Sequence, residues 1–278
     1  MQKTNFRFEA IVHDDASTDN TASIIREYAE KYPDIIKPII ETTNQYSKHD
    51  DSIAQILNNA INPSSQYIAF CEGDDYWTDP YKLQKQIDFL ESHSEYVYSC
   101  HRYYIHDEIK AEKYLAPNIF FDTHPLATEF TFKIDYPFFQ DWVTKTLTCI
   151  YRRKALDTSL PKRYKFYRDV HLVYHILLKG KGICHSFIGG VYRKNANSTY
   201  GRLSYIDKIK TDYMVYKELY QKTHDPIIGK LLTKLYLYNC IKSRKLILPS
   251  NVYEFKALFI VFPTLCVKKI LFSSHTHK

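Results

Sequence analysis

Three carboxylates fall within four residues at Glu72, Asp74 and Asp75, and Gly73 between the first two allows a tight turn. Like charges packed this closely repel, and each raises the pKa of the others unless a cation neutralises them. An oxygen-only donor set suits a hard divalent ion such as Mg2+ or Mn2+, which usually also grips a phosphate. The competing reading is a solvated acidic turn ahead of a helix that begins near Pro80. A second acidic stretch runs His13-Asp14-Asp15-Ala16-Ser17-Thr18-Asp19. Asp19 is explained as the cap of the following helix, but no cap needs Asp14 and Asp15. Two look-alikes fail here. The spacing Asp15-x-Ser17-x-Asp19 imitates a calcium loop, yet Asn20 stands where the turn glycine belongs and Arg26 where the closing glutamate belongs. An aspartyl-phosphate site needs a second Asp two residues after the first, and Ala16 holds that place. Asp169 opens a helix, where it reads as an N-terminal cap. His171 and His175 lie one helical turn apart with no evident third ligand and read as helix-face histidines.

These residues need elements to position them. The apolar runs Phe8–Val12 and Tyr67–Cys71 read as buried strands of a parallel sheet, each delivering its acids at the carboxyl end, where open α/β sheets bind ligands. Helices are expected over 21–32, 51–61, 82–92 and 170–179, and further strands over 35–42, 96–103, 146–152 and 183–188. Residues 104–140 read as irregular and aromatic-rich, suiting either a mobile acceptor loop or inserted core. Two more helices follow over 204–223 and 226–244, then an apolar tail, Val252 to Phe272, with Lys268 and Lys269. That tail suits a membrane interface, with lysines toward anionic headgroups, or a helix packed on the body.

The order of the two acidic motifs resembles the family 2 glycosyltransferases of the GT-A fold. Asp14-Asp15-Ala16-Ser17-Thr18-Asp19 stands where that family usually has Asp-Asp-Gly-Ser-Thr-Asp, and Glu72-Gly73-Asp74 where it has its Asp-x-Asp metal motif. The run Glu72 to Pro80, followed by Lys82-Leu83-Gln84-Lys85-Gln86, is similar to a bacterial subgroup that builds surface polysaccharides. The resemblance covers roughly residues 4–200. It implies an α/β fold, with a mostly parallel, Rossmann-like sheet flanked by helices (1–200) and a C-terminal helical extension (201–278). It also implies sugar transfer with inversion from a nucleotide-sugar donor, most commonly a UDP-sugar, to a saccharide or lipid-linked acceptor. The metal, Mg2+ or Mn2+, would be held by Glu72, Asp74 and Asp75. Asp14, Asp15, Ser17, Asp19 and Arg193 would face the donor, and Asp169 would be the base. In that family the Phe8 strand is the second of its sheet. The chain therefore reads as N-terminally truncated, with a gap and two unpaired apolar edges between the strands at Phe8 and Tyr67. Three departures are visible. Leu57-Asn58-Asn59 lacks an arginine common there, Arg168 replaces a glutamate, and Asn195 replaces the histidine that usually follows Tyr192-Arg193. These, with the truncation, support an alternative: an inactive remnant that retains only nucleotide or partner binding.

Bulk properties agree with a globular enzyme. The chain has 278 residues, 45% hydrophobic and 25% charged, with net charge +7. It lacks the dense basic stripe of a nucleic-acid binder, so no nucleic-acid partner is expected. Its 25 tyrosines suit stacking on sugars. Six scattered cysteines without a Cys-x-x-Cys pair read as reduced thiols of a cytoplasmic protein, with peripheral contact at the inner face of the plasma membrane left to the tail.

Overall fold

The computed structural model describes residues 1–48, 50, 52–195, 203–243 and 248–257. In chain order the elements are β1 (Ala10–Asp14), α1 (Thr21–Lys31), β2 (Ile36–Ile40), α2 (Ser52–Ala60), β3 (Tyr67–Ala69), β4 (Tyr76–Trp77), α3 (Lys82–Ser92), β5 (Tyr96–Asp107) and β6 (Glu112–Leu115). Then come α4 (Ile119–Thr123), β7 (Glu129–Phe132), α5 (Tyr136–Asp141), β8 (Ile150–Arg152), α6 (Leu160–Arg163), α7 (Asp169–Leu177), β9 (Lys181–Lys194), α8 (Tyr205–Thr223) and α9 (Pro226–Ser243).

The α/β class and the flanking helices match the reading of the sequence, but strand pairing is mixed rather than mostly parallel. β1 and β2 form a parallel pair of their own, while the larger sheet runs β3-β8-β5-β9-β4, with β6 on β5 and β7 on β9. Within it only β5 and β9 run parallel. The antiparallel pairs arise because the chain after β5 returns locally through β6, and β7 and β8 arrive by short excursions that bring them in reversed.

Among the described residues, β1 pairs only with β2, and β3 pairs only with β8. Between their facing edges opens a cavity of about 1650 Å3, walled by Phe8 and Val12 of the first sheet, Ile68 of the second, Leu57 of α2, and Leu83 and Ile87 of α3.

The main core lies between the larger sheet and α7, α8 and α9. Ile176, Leu219, Ile228, Leu232 and Tyr236 are fully buried there, in one cluster with Tyr98, Tyr151 and Cys184. The C-terminal helices thus share the apolar interior of the sheet. The stretch over 104–140 is ordered core rather than an irregular loop. Phe121, Phe132, Phe138 and Phe139 are buried, and the rings of Phe132 and Phe138 stack at 4.2 Å. Gly182 is required at this point, because a Cβ there would come within 2.1 Å of the Phe132 ring. Cys100, Cys149, Cys184 and Cys240 are buried free thiols, while Cys71 is exposed. Beyond a helical turn over 252–257, the expected tail lies outside the described residues.

Candidate active site

The acidic turn is built where β3 stops. The main-chain N–H of Asp75 donates to the Glu72 carbonyl at 3.0 Å, closing the turn, and β4 then pairs with Gly190 and Val191 of β9. Asp75 is buried. Its Oδ1 accepts the main-chain N–H of Arg193 at 2.8 Å, whereas its Oδ2 has no partner among the described residues. Asp74 accepts the Asn195 side-chain amide at 3.3 Å. One oxygen from each of Glu72, Asp74 and Asp75 lies within 4.8 Å of the others. Burial pushes the Asp75 carboxyl up to about 7, with the Asp74 and Glu72 charges adding to the rise and the Arg193 N–H and Lys145 opposing it. Glu72 is also raised, first by burial, then by Asp74 and by Asp169. A buried carboxylate oxygen without a donor, set among like charges, fits a hard cation better than it fits a solvated cap.

The charge of Asp169 reaches Glu72 and adds to the rise of that carboxyl. Asp169 is the first residue of α7, and its Oδ1 accepts the N–H of Val170 at 2.9 Å. The residue is exposed. The approach to α7 is held from α8, where the two oxygens of Glu218 accept the N–H groups of Lys165 and Phe166, each at 2.8 Å. His171 is buried, its Nδ1 accepting the Arg168 N–H at 3.0 Å, and burial holds it down at about 4. His175 hydrogen-bonds the Tyr164 hydroxyl at 2.8 Å. Both histidines are structural.

A second floor of the cleft comes from the segment before β8. Trp77 Nε1 donates to the Leu147 carbonyl at 2.8 Å, and Gln86 Nε2 donates to that of Thr148 at 3.0 Å. These bonds pin Lys145 and the 3-10 turn Thr146–Thr148 beside the acidic turn.

The signature of Glycosyl transferase family 2 matches residues 1–160. The chain belongs to this family. A stretch of 94 residues is 48% identical to an uncharacterized protein of Mycobacterium tuberculosis, covering 34% of this chain and 26% of that protein. Ninety residues are 41% identical to the putative glycosyltransferase EpsE of Bacillus subtilis, covering 32% and 30%. A stretch of 106 residues is 34% identical to the UDP-Glc:alpha-D-GlcNAc-diphosphoundecaprenol beta-1,3-glucosyltransferase WfaP of Escherichia coli, covering 38% of each. The matched stretch therefore spans between about a quarter and two fifths of each of these relatives.

Within this family 2 chain, the first acidic stretch stays apart from the acidic turn. No hydrogen bond or ion pair joins them among the described residues, and the large cavity opens between the strands that carry them. Asp14 is buried, with Oδ2 at 3.4 Å from the Ser17 N–H and Oδ1 without a partner. Asp15 is already engaged, accepting the N–H of Gln45 at 2.6 Å and that of Tyr46 at 2.9 Å. Asp19 accepts the N–H of Thr21 at 2.9 Å from one residue ahead of the cap, which is Asn20 and not Asp19 as the sequence suggested. Arg193, expected to face the donor, lies within β9, which continues through Lys194. Its guanidinium is paired with Glu108 at 2.7 Å, so its main chain rather than its side chain faces the acidic turn. Lys145 and Glu218 were not legible as site residues. Neither sits in a motif, and both matter only through contacts made far along the chain.

Proposed function

We propose that this chain acts as an inverting glycosyltransferase, moving a sugar from a nucleotide-diphosphate donor, a UDP-sugar foremost, to a saccharide or lipid-linked acceptor in cell-surface polysaccharide synthesis. The observation that supports the reading best is the gathering of Glu72, Asp74 and Asp75 within 4.8 Å of one another, with the charge of the exposed Asp169 felt at Glu72. A relative whose name specifies UDP-Glc and a diphosphoundecaprenol-linked acceptor supports the donor and acceptor classes.

Glu72, Asp74 and Asp75 would hold Mg2+ or Mn2+, which when bound supplies charge neutralisation for the departing diphosphate. Asp169 accepts the proton of the acceptor hydroxyl as its oxygen bonds to the anomeric carbon, and the bond from that carbon to the diphosphate breaks on the opposite face. Asp14 offers its unpartnered oxygen to the nucleoside, while Asp15, Ser17 and Asp19 shape the loop around it. The test is a transfer assay with nucleotide sugars and Mn2+. Asp74→Asn and Asp169→Asn each lower turnover by about a hundredfold or more, and Asp169→Asn keeps donor affinity. Full rate in both variants refutes the assignment.

A second reading, nucleotide or partner binding without turnover, is favoured by the commitment of the Arg193 side chain to Glu108. It predicts nucleotide binding with no sugar release in the same assay. We also place the protein peripherally on the inner face of the plasma membrane. Leu248, Val252 and Phe255 are exposed, the last two on the helical turn over 252–257. The sequence from 255 to 278 carries four lysines and no carboxylate side chain. No described helix is long and apolar enough to cross a membrane. Flotation with anionic but not neutral vesicles is the expected result.

A further inference from the structure

Lys145 is a cation near the acidic turn, and its charge is felt by Glu72 and Asp75. Lys145 is held there by its own segment, which Trp77 and Gln86 fasten through the Leu147 and Thr148 carbonyls. Its ammonium lies 4.9 Å from the centre of the Tyr192 ring, one residue before the Arg193 N–H that grips Asp75. It offsets the charge of both Glu72 and Asp75, yet among the described residues it closes an ion pair with neither. A flexible stem, a ring to rest on and two unneutralised carboxylates leave the ammonium free to choose between partners.

We propose that Lys145 is the resident counter-ion of the acidic turn, exchanging Glu72 and Asp75 for the donor diphosphate once a divalent ion occupies those carboxylates. This rests on the glycosyltransferase reading given above. In the metal-free protein the ammonium competes with a second cation for the same oxygens. With those oxygens engaged, the same ammonium meets phosphate oxygens and adds a charge-assisted hydrogen bond to them. Lys145 is therefore opposed to metal alone and favourable to metal with nucleotide. A residue that merely packs on Tyr192 would show neither effect.

The experiment is calorimetric titration of the full chain with Mn2+ alone, and with UDP at saturating Mn2+, for the wild type and for Lys145→Met, Lys145→Arg and Asp74→Asn. Lys145→Met binds Mn2+ alone about threefold to tenfold more tightly, the scale of one unit charge several ångström away in a surface cleft. The same variant binds UDP about tenfold more weakly, the scale of one charge-assisted bond. Lys145→Arg stays near the wild type in both titrations, which keeps the test free of a general folding defect. Unchanged or weaker Mn2+ binding by Lys145→Met, with UDP affinity intact, overturns the role of Lys145 while the Asp74→Asn loss upholds the metal site. If the wild type and Asp74→Asn bind Mn2+ equally poorly, the metal site fails and the inference falls with it.

Discussion

Ala16 carries a backbone torsion of φ 60° in the turn that follows β1, a left-handed value that glycine adopts without cost and alanine does not. It stands where the family pattern has glycine, and the conformation has been kept although the residue has changed. Ala16→Gly should therefore raise stability by up to about 1 kcal/mol, read as a higher denaturant midpoint at unchanged slope. A lower midpoint would mean that the turn has no strain to relieve. Lys82 is a second residue under stress. It is fully buried, with its Nζ 4.3 Å from the centre of the Trp77 ring and no hydrogen-bond partner among the described residues. Burial pushes its ammonium down from 10.5 to about 7. Between those values the unfolded chain holds a proton that the folded chain has shed, so stability rises with pH across the window. Wild-type Tm should climb between pH 7 and about 8, before unfolded-state cysteines ionise. Lys82→Met, which retains the apolar stem, should lack that climb. Identical slopes in the two proteins would show that Lys82 is solvated.

At the scale of elements, the site depends on segments that contribute no chemistry. α8 supplies Glu218, whose two oxygens fix the approach to α7 and so the position of Asp169. Glu218→Gln keeps an acceptor for one of those N–H groups and sets its own NH2 against the other, at a cost of about 1 kcal/mol or more. In the transfer assay kcat should fall several-fold while donor KM holds; a change in KM alone would mean that α8 shapes the donor side instead. The carboxylates at the ends of β1 and β3 were legible in the sequence, because apolar runs ending in surplus acids have few structural explanations; Asp169 at the start of α7 stood out only through the family pattern. Which of their oxygens are already spent was not. Asp15 is saturated by Gln45 and Tyr46, 30 and 31 residues away, and Arg193 by Glu108, 85 residues away. Such pairings follow from how sheets assemble, and no local pattern carries them. The aromatic stretch over 104–140 was ambiguous for the same reason: Phe132 and Phe138 become core only once Gly182 of β9 lies beneath them.

For the molecule as a whole, the interior is continuous from the larger sheet into α8 and α9, where Tyr213, Leu219, Ile228, Leu232 and Tyr236 are buried. Removing residues 204–278 should leave an insoluble or protease-sensitive product, because those side chains carry a large share of the buried apolar area. A soluble, cooperatively unfolding 1–203 fragment would show instead that the sheet needs no such cover. The groove between β1 and β3 has a further consequence for handling. Both strands line the cavity and each pairs on one side only among the described residues, and unpaired main-chain donors and acceptors invite an extended polypeptide to add to them. Concentrated samples should therefore associate slowly as molecules lend one another strands, scattering more light with time and less when a lysine replaces Val12.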